Sequence, residues 1–134
     1  MATYHSATVH VAIEAPPASV VAFLSDMEQW KAWAPWARSA VRSGPNAWEL
    51  STDDGAMRFR FVEPNAFGVL DHDVTLTSGV TLTNSLRVTP NGTGSDLVMV
   101  LLQWPHLSAE EFDRDVQAVT DDFARIKSAV ERQR

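Results

Sequence analysis

The C-terminal stretch from Ser108 to Arg134 constrains what the rest of the chain can become. Phe112, Val116, Val119, Phe123, Ile126 and Val130 recur at alternating steps of four and three, which is one apolar stripe along an amphipathic helix. Ser108 and Glu111 read as a capping box at its start. Acids (Glu110, Glu111, Asp113, Asp115) crowd its first turns and cations (Arg125, Lys127, Arg132, Arg134) its last, as the helix dipole favours. Each large member of the stripe gains roughly 1.5–3 kcal/mol if fully buried, so the helix must lie on an apolar surface. Most of the preceding chain reads as strands, so that surface is expected to be a sheet.

The first strand is Ala7, Val9, Val11 and Ile13 alternating with Ser6, Thr8, His10 and Ala12. Pro16 and Pro17 end it and suit the first turn of a helix, whose buried face would be Val20, Phe23, Leu24 and Met27. Trp30, Trp33 and Trp36 follow within seven residues. Each indole N–H needs a partner when buried, so this stretch reads either as a rim sealing the core or as the wall of a pocket.

From Ala37 onward turn signals propose antiparallel registers. Asp54-Gly55 sets Trp48 opposite Phe61 and Leu50 opposite Phe59, and the loop around Pro64-Asn65-Ala66-Phe67 sets Phe59 opposite His72. Thr77-Ser78-Gly79 sets His72 opposite Asn84, and Asn91-Gly92 sets Asn84 opposite Met99. These turns agree on one inner face: Trp48, Leu50, Phe59, Phe61, Leu70, Val74, Leu82, Leu86, Leu97, Met99 and Leu101. The outer face then carries a charge ladder, with Glu49, Arg60 and Asp71 in one row, Ser51, Arg58 and Asp73 in the next, and Arg87 opposite Asp96.

The 134 residues suit one domain over 1–134, and the absence of cysteine excludes a disulfide framework, a thiolate nucleophile and a cysteine metal site. A net charge of −6 speaks against a nucleic-acid partner. Neither a basic leader running into an apolar segment nor a membrane-length apolar run is visible, so no membrane span and a cytoplasmic location are expected. His5, His10, His72 and His106 are scattered without a nearby ligand set, and no phosphate loop or nucleophile elbow is present, so neither metal nor cofactor is expected. Asp71-His72-Asp73 resembles a catalytic cluster until alternation turns the aspartates outward and His72 inward. His72 and Asn84 are then two polar side chains on an apolar face, either bonded to each other or serving as a polar handle in a cavity.

The order of one strand, two short helices, an antiparallel sheet and a long final helix is an α+β helix-grip arrangement, a curved sheet wrapped around the C-terminal helix. The chain resembles the START-like (SRPBCC) superfamily, in particular its bacterial polyketide cyclase/dehydrase-like members. The resemblance rests on Val11-Ala12-Ile13-Glu14-Ala15-Pro16 leading to Val20, Trp33-Ala34-Pro35-Trp36, Gly68-Val69-Leu70-Asp71-His72, Asn91-Gly92-Thr93-Gly94-Ser95 and the terminal helix. It covers almost the whole chain and implies a cavity for a small hydrophobic, aromatic or acyl molecule. Expected lining residues are Trp33, Trp36, Trp48, Phe59, Phe61, His72, Asn84, Met99, Phe112, Val116 and Val119. A cofactor-independent cyclase or dehydrase would use His72 as acid/base with Asn84 orienting it or holding an oxyanion. A third expectation is an interaction protein without turnover, a homodimer through Val98, Val100 and Leu102 on the outer face of the last strand.

Overall fold

The computed structural model describes residues 3–133. Strands β1 (Ser6–Ile13), β2 (Ala37–Gly44), β3 (Ala47–Thr52), β4 (Gly55–Phe61), β5 (His72–Thr75), β6 (Thr81–Asn91) and β7 (Gly94–Leu102) form one sheet in the order β1-β7-β6-β5-β4-β3-β2. Every neighbouring pair is antiparallel. Helix α1 (Pro17–Ser25) and a 3-10 helix (Met27–Ala32) connect β1 to β2, and α2 (Ala109–Arg132) follows β7. The helix-grip arrangement expected from the sequence is therefore present.

The helix ends form as the sequence dictates. Ser108 accepts from the Glu111 N–H and Glu111 accepts from the Ser108 N–H, both at 3.1 Å, completing the capping box of α2. Pro17 opens α1 with its φ already set and no N–H to satisfy. At its far end α2 is tied to the first strand. Lys127 Nζ donates to the Ala12 carbonyl at 2.8 Å, and the Glu14 N–H donates to Glu131 at 2.8 Å. Phe123, Ile126, Ala129 and Val130 are buried there, and α2 lies mainly against β1.

Only the β5–β6 turn has the expected register, with His72 opposite Asn84. The others are displaced by two residues: Trp48 faces Phe59, Phe61 faces His72, and Leu86 faces Met99. In the two tight hairpins, β3–β4 and β6–β7, the cause is where the glycine sits. Gly92 takes φ +59 at the first central position of a turn enclosed by Asn91 and Gly94, as a type II′ turn requires, instead of the second. Gly55 is paired with Thr52 outside its turn, whose corner is Asp53-Asp54 braced by the Thr52 hydroxyl. A shift of two preserves alternation, so the inner face survives intact.

The outer charge ladder keeps two opposite-charge pairs but not the expected partners. Arg58 faces Glu49, Arg60 faces Asp73, and Arg87 faces Val98 instead of Asp96. Asp71 lies just before β5, beside β6, where it accepts from Arg87 Nη2 at 2.8 Å and from the Leu86 N–H at 2.9 Å. The observed register therefore sets charged Arg87 opposite Val98 in the outer patch of Val98, Val100 and Leu102, where the Asn91-Gly92 register expected from the sequence sets Ser85.

Candidate ligand-binding site

The inner face of the sheet is buried unevenly from one end to the other. Where β1 ends and β7 begins, Ile13, Leu97 and Val88 are at most 2 % exposed. Towards the opposite strand ends, Ala7, Met57, Leu76, Leu82, Asn84, Met99 and Leu101 also face inward yet stay half-buried. On α2 the C-terminal half of the stripe is buried, Val116 and Val119 are half-buried, and Phe112 at its start is buried again. Apolar side chains aimed inward that still meet solvent describe a wedge, closed where α2 is tied to β1 and less tightly packed beside Val116 and Val119.

An aromatic cluster fills the middle of this wedge. Trp30 lies 5.0 Å from Trp33, 6.1 Å from Trp36 and 5.3 Å from Phe59 between ring centroids, mostly in tilted or edge-on contact. Phe59 and Phe61 in turn pack on the His72 ring at 5.7 and 5.0 Å. Trp36 is half-buried beside α2 and donates through Nε1 to Asp122 at 3.3 Å. Arg125 donates to the same carboxylate at 2.7 Å and to the Trp33 carbonyl at 2.9 Å, clasping the tryptophan segment to the helix. This clasp was not anticipated: Arg125 reads in the sequence only as a helix-dipole cation, and Asp122 flanks the apolar stripe instead of belonging to it.

His72 is 5 % exposed, and its Nδ1 bonds to the Leu70 carbonyl at 2.9 Å rather than to Asn84. A carbonyl only accepts, so Nδ1 carries the proton and the neutral ring offers Nε2 as an acceptor. The expected mutual pair is thus replaced by a bond to the backbone two residues upstream. Asn84 stands opposite His72 but half-buried.

A family model described as polyketide cyclase / dehydrase and lipid transport matches residues 4–131. The chain belongs to that family. No curated protein matches it in sequence. Among solved structures, a START superfamily protein from Mycobacterium smegmatis is 13% identical with a TM-score of 0.77, covering 97% of this chain and 99% of that one. The Aha1 dimer from Colwellia psychrerythraea is also 13% identical at 0.77, with coverages of 95% and 96%. The di-domain aromatase/cyclase BexL of the BE-7585A biosynthetic pathway matches at 13% and 0.75; 95% of this chain aligns to 46% of that one. At these identities the structural likeness carries the START-like fold.

Within this polyketide cyclase/dehydrase family fold the expected lining residues separate into groups. Trp48 and Phe61 are buried and border a smaller opening of about 230 Å³ together with Val21, Arg42 and Leu70. Phe59 and His72 are buried, while Trp36, Asn84, Met99, Val116 and Val119 are half-buried. Trp33 is buried within the tryptophan cluster. Phe112 is buried outside the main core, edge-on to His5 at 5.3 Å, so it seals the start of α2 rather than lining the middle. Met57 and Leu76 belong to the wedge and were not anticipated, although simple alternation from Phe59 and Val74 reaches both. A larger depression of about 980 Å³ lies on the outer face among Glu49, Arg58, Arg60 and Asp73. Its lining is charged and open to solvent, and none of the inward-facing aromatic rings beyond Phe59 and Phe61 borders it.

Burial lowers the His72 pKa from 6.5, opposed by its bond to the Leu70 carbonyl and by Asp71 and Asp73. A folded pKa below the unfolded one means that stability present above about 6.5 is lost as the pH falls, because the unfolded chain takes up the proton first. Burial raises the Asp122 pKa, which favours folding in the opposite sense on acidification. Urea unfolding of wild type and His72→Gln between neutral and mildly acidic pH separates the two contributions. The wild type is expected to lose more stability than the variant below pH 6.5; parallel curves would show that His72 is not buried neutral.

Proposed function

We propose that this chain binds a small hydrophobic molecule, aromatic or acyl, in the wedge between the sheet and α2. The observation that carries the reading is the set of inward-facing but half-buried apolar residues, Met57, Leu76, Leu82, Met99 and Leu101 on the sheet and Val116 and Val119 on α2. Apolar surface kept accessible in a concave site is stabilised when a ligand covers it. Membership of a family described as polyketide cyclase / dehydrase and lipid transport supports the same reading.

Titration with methyl naphthyl ketone and with a medium-chain acyl ester, followed by tryptophan fluorescence, tests it. Trp36 at the wedge is expected to report saturable binding. Val119→Glu places a carboxylate on a half-exposed wall position, so the fold should persist while affinity falls about tenfold or more, the equivalent of ~1.4 kcal/mol. A linear response to ligand, or an unaffected Val119→Glu variant, would overturn the proposal.

An acid/base role at the same site draws support from the His72 tautomer, whose Nε2 lone pair faces away from its backbone bond and can accept a proton. Turnover of a bound carbonyl compound would then vanish in His72→Ala while binding persists. We also propose that the outer face of β7 pairs with a second copy, centred on Val100, which is 41% exposed between half-buried Val98 and Leu102. Light scattering at micromolar concentration should give a dimer mass that Val100→Glu halves; a monomeric wild type would refute this.

A further inference from the structure

The three tryptophans between α1 and β2 are not equivalent in their polar atoms. Trp30 Nε1 donates to the Leu24 carbonyl at 2.9 Å, and Trp36 Nε1 donates to Asp122 at 3.3 Å. Trp33 Nε1 is buried and has no hydrogen-bond partner, on a residue that is 5 % exposed. Native proteins seldom leave a buried donor unmatched, because it forfeits its bond to water without replacement. The Trp33 carbonyl accepts from Arg125 Nε at 2.9 Å and not from the indole, whose N–H has no partner within the protein.

The surroundings bear on what could satisfy it. The Trp33 ring lies 5.0 Å from Trp30 and 6.0 Å from Trp36, and Trp30 continues the cluster to Phe59. A trapped water needs two to four polar partners, and the Trp30 and Trp36 rings packed on Trp33 supply none, their own N–H groups being committed to Leu24 and Asp122. An acceptor oxygen attached to an apolar molecule has no such requirement: one hydrogen bond satisfies it, and the rest of the molecule packs on the rings.

We propose that the Trp33 indole N–H is the polar anchor of the wedge, and that the ligand carries a carbonyl oxygen flanked by apolar surface. This rests on the binding reading above and narrows it from hydrophobic molecules in general to aromatic or acyl carbonyl compounds. The neighbouring rings hold the indole in place, so the donor is oriented before the ligand arrives. Trp33 thus sets which ligand is preferred, while Val116, Val119 and the inner face of the sheet supply the apolar contact.

The test compares methyl naphthyl ketone with isopropenylnaphthalene, which has the same shape and a methylene in place of the carbonyl oxygen. Affinities are measured by fluorescence for wild type and Trp33→Phe. The ketone-to-alkene affinity ratio is expected to fall about tenfold in the variant, with the alkene affinity little changed, since a matched buried donor discriminates on that scale. In the wild type, the Trp33 indole proton should shift downfield in the nuclear magnetic resonance spectrum with the ketone and not with the alkene. If Trp33→Phe fails to fold, benzothienylalanine at position 33 replaces the N–H by sulfur at nearly constant shape, and the same loss of preference is expected. An unchanged ratio, with the alkene bound, overturns the Trp33 assignment and leaves the binding reading standing. Failure of both compounds to bind overturns the binding reading, and the anchor with it.

Discussion

Gly68→Ala is expected to remove a large part of the stability of this protein, roughly 3 kcal/mol or more, against a total of about 5–15 kcal/mol for a domain of this kind. Residues 68–70 run directly along β6. The Val88 N–H donates to the Gly68 carbonyl at 2.9 Å, and the Leu70 N–H donates to the Leu86 carbonyl at 2.8 Å. At φ +74, a Cβ on residue 68 would stand 2.0 Å from the Val88 carbonyl oxygen. Backbone cannot swing aside as a side-chain tip can, so relief requires residues 68–70 to lift off β6. That would also withdraw Asp71 from Arg87 and move Leu70, whose carbonyl holds His72. Gly79→Ala is the control: at φ +91 with nothing within 4 Å of the added carbon, it should cost only the left-handed backbone conformation, about 1–2 kcal/mol. Urea denaturation distinguishes them, and equal midpoints for the two variants would refute the steric account.

Trp30→Ala should lower stability by about 3–5 kcal/mol, on the order of 10–20 °C in Tm for a chain of this size. Trp30 is 4 % exposed and touches Trp33, Trp36, Phe59 and Phe61, so its removal leaves a void at the centre of the aromatic cluster. It also strands the Leu24 carbonyl that accepts from its indole N–H. Trp30→Phe keeps a ring in the cluster and should cost less than half as much. A Trp30→Ala variant that melts within a few degrees of wild type would mean that the cluster is only loosely packed. Calorimetry on the three proteins decides the matter, and ligand titration of the phenylalanine variant then shows whether the cluster also shapes the wedge.

Alternation made the inner face legible because side-chain direction in a strand has a period of two, and an error of two residues cancels. Trp48, Phe59, Phe61, His72 and Met99 were therefore assigned to the correct face from turns that, in three cases out of four, were placed at the wrong pair. Cross-strand partners enjoy no such protection. The charge ladder failed because each pairing depends on the register itself, and a glycine such as Gly92 can occupy either central position of a two-residue turn. The bond of His72 to Leu70 was beyond pattern reading for a related reason. It depends on how the segment before β5 bends, and no periodicity encodes that bend.

The sequence alone determined the capped amphipathic helix, the inward set of apolar residues and the family resemblance. These follow from local chemistry: a Ser–Glu box, a stripe at helical spacing, alternation along strands, and positive-φ glycines at turns. Tertiary structure alone decided that the stripe on α2 is used unequally, with Phe123, Ile126 and Val130 buried and Val116 and Val119 left half-open. It also decided which of three neighbouring indoles would lack a partner. Both outcomes depend on how α2 and the tryptophan segment pack on the sheet. That packing includes long-range contacts such as Lys127 to Ala12 and Arg125 to Trp33, between residues far apart in the chain.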